Sequence, residues 1–140
     1  MVTAAHQQIT HDWWLTAPHQ FDLYISEAVL AEIRAGNPVL AASRLTIVSD
    51  LPVLSFSKNV ELLIEEYQTR LGLAANAATD LPHFAYAVAY RMDFLVTWNC
   101  KHIANGQVIK RLIIANSELG WPTPVILTPE ELLATFSGEL

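Results

Sequence analysis

Three polar residues that are far apart in the sequence could together bind a hard metal ion. Glu32 lies in a predicted helix that follows a strand, Asp80 begins a second predicted helix, and Asn99 follows another strand. Two carboxylates and a carboxamide oxygen are ligands that suit Mg²⁺ or Mn²⁺. A bound ion can lower the pKa of an attacking water and contact a phosphate oxygen. The residue types therefore allow hydrolysis of a phosphate ester.

Each of these residues also has an ordinary structural interpretation. Asp80 suits the positive end of its helix, and on the residues alone this interpretation comes first. Glu32 resembles a solvated helix residue, as does Glu27, and Asn99 could cap the turn after its strand. His83 shares a helix face with Asp80 because it lies three residues further on. The spacing by itself leaves the metal site and the structural roles open.

The segment from Thr79 to His102 must position two of these residues, because it is predicted to be a helix followed by a strand. Thr79 is the predicted N-cap, and Pro82 falls in the first turn, where its missing N–H costs little. The apolar run at 94–96 predicts a short, buried, parallel strand. The start of the helix and the end of the strand should then meet at the carboxyl edge of a sheet, where open α/β folds place their sites.

The rest of the chain alternates strands with helices, which predicts an α/β fold with a mostly parallel sheet. The residues that are predicted to cap helices are Ser26, Asn37, Ser57, Asn105 and the pair Thr128 and Glu131. The predicted strands are residues 21–25, 53–56, 94–97 and 125–127, and the predicted helices are 3–17, 27–35, 38–50, 58–71, 106–119, one from Asp80 and one from Pro129. In helix 106–119, Val108, Ile109, Leu112 and Ile113 are predicted to face inward.

Composition limits the class of protein. A chain of 140 residues with 52% hydrophobic residues is predicted to form one domain, residues 1–140. The net charge of −6 argues against a strong nonspecific grip on phosphate backbones. A single cysteine, Cys100, excludes an internal disulfide and fits a reducing compartment. No apolar run approaches the length of a membrane-spanning helix and no signal peptide is recognisable, so a cytoplasmic location without membrane contact is expected.

Four segments of the sequence resemble PIN-domain proteins, most closely the VapC-like branch of type II toxin–antitoxin nucleases. They are ISEAVLAEIRAGNP, TDLPHFAYAVA, FLVTWNCKHIAN and PVILTPEEL. Glu32 and Asp80 match the second and third acidic residues of the family, and Asn99 stands where most PIN domains carry a fourth acid. The resemblance extends over nearly the whole chain from about residue 5.

This resemblance implies a three-layer fold with a mostly parallel central sheet flanked by helices. It also implies RNA cleavage by a water activated by Mg²⁺ or Mn²⁺. Glu32 and Asp80 would hold the metal, Asn99 would support the metal or the water, and Thr97 would help to fix the edge of the sheet. His83 and His102 are supporting neighbours. An antitoxin protein and a second copy of the chain are the implied protein partners.

The sequence departs from the family pattern in two ways. PIN domains begin with a strand that ends in an aspartate ligand, and this chain starts at what resembles the helix after it. Asn99 is neutral, so fewer negative ligands are available and the affinity for an ion should fall. We expect either that the natural start lies about twenty residues upstream, that another chain supplies the strand, or that catalysis is lost. In the last case the protein would be a PIN-like binding or scaffold protein that pairs with a partner.

Overall fold

The computed structural model describes residues 10–137, which fall into two compact units. Unit A contains the described residues up to Asp22 and those from Asp93 onward, and unit B contains Leu23–Met92. Both units combine helices with a pair of parallel strands. The α/β class and the parallel pairing predicted from the sequence are therefore confirmed.

Unit B is built on two short strands and the helices that follow them. Strand β1 (Ile25–Ser26) pairs in parallel with β2 (Val53–Leu54), with Ile25 opposite Val53. Its helices are α2 (Glu27–Ala35), α3 (Pro38–Val48), α4 (Lys58–Arg70), α5 (Ala75–Ala78) and α6 (Leu81–Ala89).

Side-chain caps begin three of these helices at the predicted residues. The Ser26 hydroxyl accepts a hydrogen bond from the Val29 amide, and the Ser57 hydroxyl accepts one from the Val60 amide. Asn37 Oδ1 accepts from the amides at the start of α3. Each cap satisfies amides that have no partner inside the helix, which is worth about 1 kcal/mol per cap.

The interior of unit B lies where α4 packs against α6. Val60, Leu63 and Tyr67 form the buried stripe of α4, as their spacing predicts. Helix α6 is buried along most of its length, and Phe84 is 0% exposed. Burying a side chain of this size stabilises the fold by roughly 1.5–3 kcal/mol. The packing of α6 therefore holds its first turn in a defined position.

Unit A begins with helix α1 (residues 10–16), and a 3₁₀ turn at Ala17–His19 follows it. Residues 3–9 of the predicted first helix lie outside the described residues. The remaining elements are β3 (Phe94–Val96), α7 (Gly106–Leu119), β4 (Val125–Leu127) and α8 (Pro129–Ser137), with β3 and β4 parallel. The predicted capping box is confirmed, since Thr128 and Glu131 exchange side-chain to amide hydrogen bonds.

Several sequence predictions were wrong in detail. The predicted strand 21–25 is reduced to Ile25–Ser26, because only these residues find a partner strand. Helix α6 has Asp80 rather than Thr79 as its N-cap, since the short helix α5 ends at Ala78 and Thr79 is its C-cap. Ile113, predicted to face inward, is 50% exposed.

The strands of the described residues form two separate two-stranded sheets, β1–β2 and β3–β4. The single central sheet and the three-layer arrangement implied by the resemblance stay predictions. Between residues 10 and 137, every helix is too short or too polar to cross a lipid bilayer.

Candidate metal centre

Glu32, Asp80 and His83 come together in unit B and could hold a metal ion. Each offers one potential ligand atom, and these three atoms all lie within 4.8 Å of one another. We call this group the acid–histidine cluster. Among residues 10–137, it is the only group of three or more histidine, cysteine, aspartate or glutamate residues whose ligand atoms lie close enough to hold one ion.

Helix α2 brings Glu32 to the cluster. The helix starts directly after β1, and the Ser26 cap fixes its first turn. At the same end, the Glu27 carboxylate accepts a hydrogen bond of 3.0 Å from the Phe56 amide. Glu27 is exposed, as predicted, but this bond ties α2 to the segment after β2. Helix α2 also contacts α6, so Glu32 is held near the start of that helix.

The first turn of α6 positions the other two members of the cluster. Asp80 is the N-cap residue, but its side chain makes no capping hydrogen bond to the helix. The Asp80 carbonyl accepts a hydrogen bond of 3.1 Å from the His83 amide, which fixes the two residues relative to each other. Their side chains share a helix face because they are three residues apart. Burial of Leu81 and Phe84 anchors the same turn.

A short contact links the two helices within the cluster. His83 Nε2 lies 2.7 Å from Glu32 Oε1. The His83 side chain is 9% exposed and the Glu32 side chain is 60% exposed, so the ring is fixed and the carboxylate is open to solvent. When Nε2 carries the ring proton, Nε2 donates a hydrogen bond to the carboxylate. When the proton is on Nδ1, the lone pair of Nε2 can bind a metal.

The dimensions of the cluster suit one small divalent ion. With metal–ligand bonds of about 2.1 Å, neighbouring ligands of an octahedral ion lie about 3.0 Å apart and opposite ligands about 4.2 Å apart. His83 Nε2 and Glu32 Oε1 lie 2.7 Å apart, and no two ligand atoms of the cluster are more than 4.8 Å apart. The exposed Glu32 side chain can move by the few tenths of an ångström needed. Two carboxylates would also neutralise the charge of a divalent ion.

The other residues singled out from the sequence lie in unit A and contact one another. Asn99 Oδ1 accepts a hydrogen bond of 2.9 Å from the His102 amide, and Thr97 Oγ1 accepts one of 3.0 Å from the Asn99 amide. The Thr97 amide donates to the Leu127 carbonyl and extends the β3–β4 pairing. Asn99 thus caps the turn after its strand, which is one of the two interpretations that its sequence position allowed. Its role beside a metal stays a prediction.

The pKa of Tyr86, a residue of α6, differs from its usual value. Burial raises the pKa of Tyr86 above its usual value of 10.0, and the negative charge of Glu27 and the neighbouring Tyr90 raise it further. The Tyr90 hydroxyl donates a hydrogen bond of 2.7 Å to the Ser55 carbonyl, which places the C-terminal end of α6 beside the segment after β2. Glu27 is therefore both a structural anchor and a source of negative potential on α6.

The sequence predicts a smaller role for His83 than its place in the structure indicates. It was expected only as a supporting neighbour, although its nitrogen lies within the cluster. The available signal was the D-x-x-H spacing, which places a carboxylate and an imidazole on one helix face. The contact of His83 with Glu32 depends on the packing of α2 against α6, which that spacing does not report.

Comparisons with protein-family models, with curated proteins and with solved structures found no significant match to this chain. The candidate site is therefore defined by its geometry alone. The similarity to PIN domains that the four sequence segments suggest remains a prediction.

Proposed function

We propose that the protein is a metal-dependent ribonuclease of the PIN type, in which Glu32 and Asp80 bind Mg²⁺ or Mn²⁺. The observation that supports this most is the convergence of these two acids, which come from separate helices, on one cluster with His83. The resemblance assigns metal binding to the same two acids. A toxin of a type II toxin–antitoxin pair is the biological setting that the resemblance suggests.

The residues of the cluster have different tasks in this proposal. A bound divalent ion would lower the pKa of a water and supply positive charge for the phosphate that is cleaved. Asp80 holds its oxygen in place through the buried first turn of α6. Glu32 is exposed, so a polymer as large as RNA can approach the ion from the solvent side. Asn99, to which the resemblance gives a supporting role, is not a member of the cluster.

The charge of the chain makes the ion important for substrate binding as well. A net charge of −6 argues against a broad basic surface that grips phosphate backbones. In the proposed enzyme the ion itself therefore provides much of the attraction for the cleaved phosphate. The activity should accordingly disappear in a chelator and not only slow down.

Cleavage of a labelled single-stranded RNA of mixed sequence tests the proposal. We expect cleavage in Mg²⁺ or Mn²⁺ and none in EDTA. Asp80→Asn and Glu32→Gln should each lower the rate by at least about tenfold, because loss of a group that supports a metal commonly costs that much. Asp50→Asn and Glu65→Gln are matched controls, since both residues are exposed and lie outside the cluster.

Two results would contradict the proposal. One is the absence of cleavage when calorimetry shows that the ion is bound. The other is equal cleavage by the wild type and by Asp80→Asn, which would trace the activity to another site or a contaminant.

A second candidate function is binding of a partner protein without catalysis. Helix α3 favours it, because Val39, Leu40 and Ile47 are 79%, 51% and 52% exposed. Large apolar side chains grouped on a surface often mark a protein interface. This function predicts a stable complex, with an antitoxin-like protein or a second copy, that EDTA leaves intact and that Leu40→Lys weakens. Sedimentation velocity measures the complex, and metal-dependent cleavage by the isolated chain would argue against this candidate.

A further inference from the structure

His83 differs from the other members of the acid–histidine cluster in its chemistry. Glu32 and Asp80 offer oxygen atoms, whereas His83 offers an imidazole nitrogen. The ring is held by α6 with only 9% of the side chain exposed, and its Nε2 points to Glu32. A buried nitrogen ligand beside two carboxylates affects which metal ion the cluster can bind.

We infer that His83 Nε2 is a third metal ligand and that the cluster therefore selects a divalent first-row transition metal, such as Mn²⁺, over Mg²⁺. This inference rests on the metal site of the proposed function. Imidazole nitrogen adds affinity for first-row transition metals, and among them least for Mn²⁺, whereas Mg²⁺ prefers oxygen ligands and retains its waters. A site of two oxygens and one nitrogen thus gains more from a transition-metal ion than from Mg²⁺.

The contact between His83 and Glu32 shows how the ion would enter. Nε2 and Oε1 lie 2.7 Å apart, so a ring proton on Nε2 would be donated to the carboxylate. A metal ion would take the place of that proton, with the ring proton on Nδ1. Adjacent ligands of such an ion lie about 3.0 Å apart, so Glu32 needs to move only slightly. The hydrogen bond therefore keeps both potential ligand atoms near their metal-bound positions.

A purely structural role for His83 makes a different prediction. If His83 only orients Glu32 through the hydrogen bond, its removal misplaces one carboxylate and weakens Mn²⁺ and Mg²⁺ binding alike. If His83 is a ligand, its removal weakens mainly Mn²⁺ binding. The dependence of the effect on the identity of the metal therefore distinguishes the two roles.

Isothermal titration calorimetry with each ion measures this dependence. We expect the wild type to bind Mn²⁺ more tightly than Mg²⁺. His83→Asn should raise the Kd for Mn²⁺ on the order of tenfold or more and change the Kd for Mg²⁺ by less than about threefold. His19→Asn is the matched control, because His19 is exposed in the 3₁₀ turn of unit A. Equal weakening of both ions in His83→Asn would overturn the inference.

A spectroscopic measurement on the wild type keeps the test independent of how well the variant folds. Pulsed electron paramagnetic resonance of bound Mn²⁺ detects a nitrogen that is bonded directly to the ion. We expect a coupling typical of imidazole nitrogen, and its absence from saturated wild-type protein would overturn the inference. Where His83→Asn folds, the coupling should disappear from it and persist in His19→Asn.

These results separate the inference from the proposed function. Mn²⁺ bound through imidazole without RNA cleavage would support the ligand role of His83 and contradict the ribonuclease. RNA cleavage with equal affinity for Mn²⁺ and Mg²⁺ and no nitrogen coupling would do the reverse. If neither ion binds, both are wrong.

Discussion

The substitution Asp80→Asn separates metal binding from folding. Asp80 is the N-cap residue of α6, and its side chain makes no capping hydrogen bond to that helix. Asparagine is as good an N-cap residue as aspartate. Without metal, we therefore expect the free energy of unfolding to change by no more than about 0.5 kcal/mol. The substitution does, however, remove one of the two negative charges of the cluster.

With metal, the two proteins should differ clearly. At a free ion concentration one hundred times the Kd, an ion that binds only the folded protein adds about 2.7 kcal/mol to the free energy of unfolding. For a chain of 140 residues, this corresponds to a rise in Tm of roughly 5–11 °C. If the substitution raises the Kd one hundredfold, the gain at the same ion concentration falls to about 0.4 kcal/mol.

Differential scanning calorimetry in EDTA and in Mn²⁺ measures both quantities. Asp50→Asn is the control, because Asp50 is exposed just after α3 and lies outside the cluster. We expect the wild type and the control to gain the same increase in Tm, and Asp80→Asn to gain less than half of it. An equal increase in all three proteins would refute the assignment of Asp80 as a ligand. A large loss of Tm in EDTA would contradict the expectation that asparagine replaces Asp80 at the N-cap with little change in stability.

Two further predictions concern the fold. Leu112→Ala should lower the free energy of unfolding by about 2–5 kcal/mol because Leu112 is 0% exposed in α7. Ile113→Ala, at a residue that is 50% exposed, should lower the free energy of unfolding by less than about 1 kcal/mol. Urea titration measures both variants, and equal losses would contradict the orientation of α7. Since the pKa of Tyr86 is raised above 10.0, the unfolded chain loses this proton first, so its contribution is present below pH 10.0 and is lost at higher pH. Tyr86→Phe should therefore flatten the fall in stability above pH 10.0, as measured by unfolding at several pH values, and an unchanged slope would contradict the shift.

The helix starts could be predicted from the sequence because the interactions that fix them are local. Each cap joins a side chain to amides two or three residues further on. The residue types alone therefore identify them. The predicted caps found in the structure are Ser26, Asn37, Ser57, Asn105 and Thr128 with Glu131.

The strands were less predictable because a strand needs a partner. Alternating polarity favoured residues 21–25, yet only Ile25 and Ser26 pair with β2. The run of alternating residues gives no information about how many of them a neighbouring strand can reach. In the same way, the N-cap of α6 is Asp80 and not the predicted Thr79, because Thr79 is the C-cap of the preceding helix α5.

The candidate site shows the same division between local and tertiary information. Spacing placed Asp80 and His83 on one helix face, and the structure agrees. That Glu32 joins them depends on α2 packing against α6, so its predicted position relied on the resemblance. The importance of His83 could not be judged from spacing, because its burial and its contact with Glu32 are properties of the folded chain.

Anomalous diffraction from crystals grown or soaked in Mn²⁺ tests most directly whether Glu32 and Asp80 hold one ion. We predict a single anomalous peak in the acid–histidine cluster, roughly 2.0–2.4 Å from one carboxylate oxygen of each acid. The ion should be lost from crystals of Asp80→Asn under the same conditions. An empty cluster at a Mn²⁺ concentration that saturates the protein in solution, or an ion bound elsewhere on the chain, would contradict the metal site and the ribonuclease built on it.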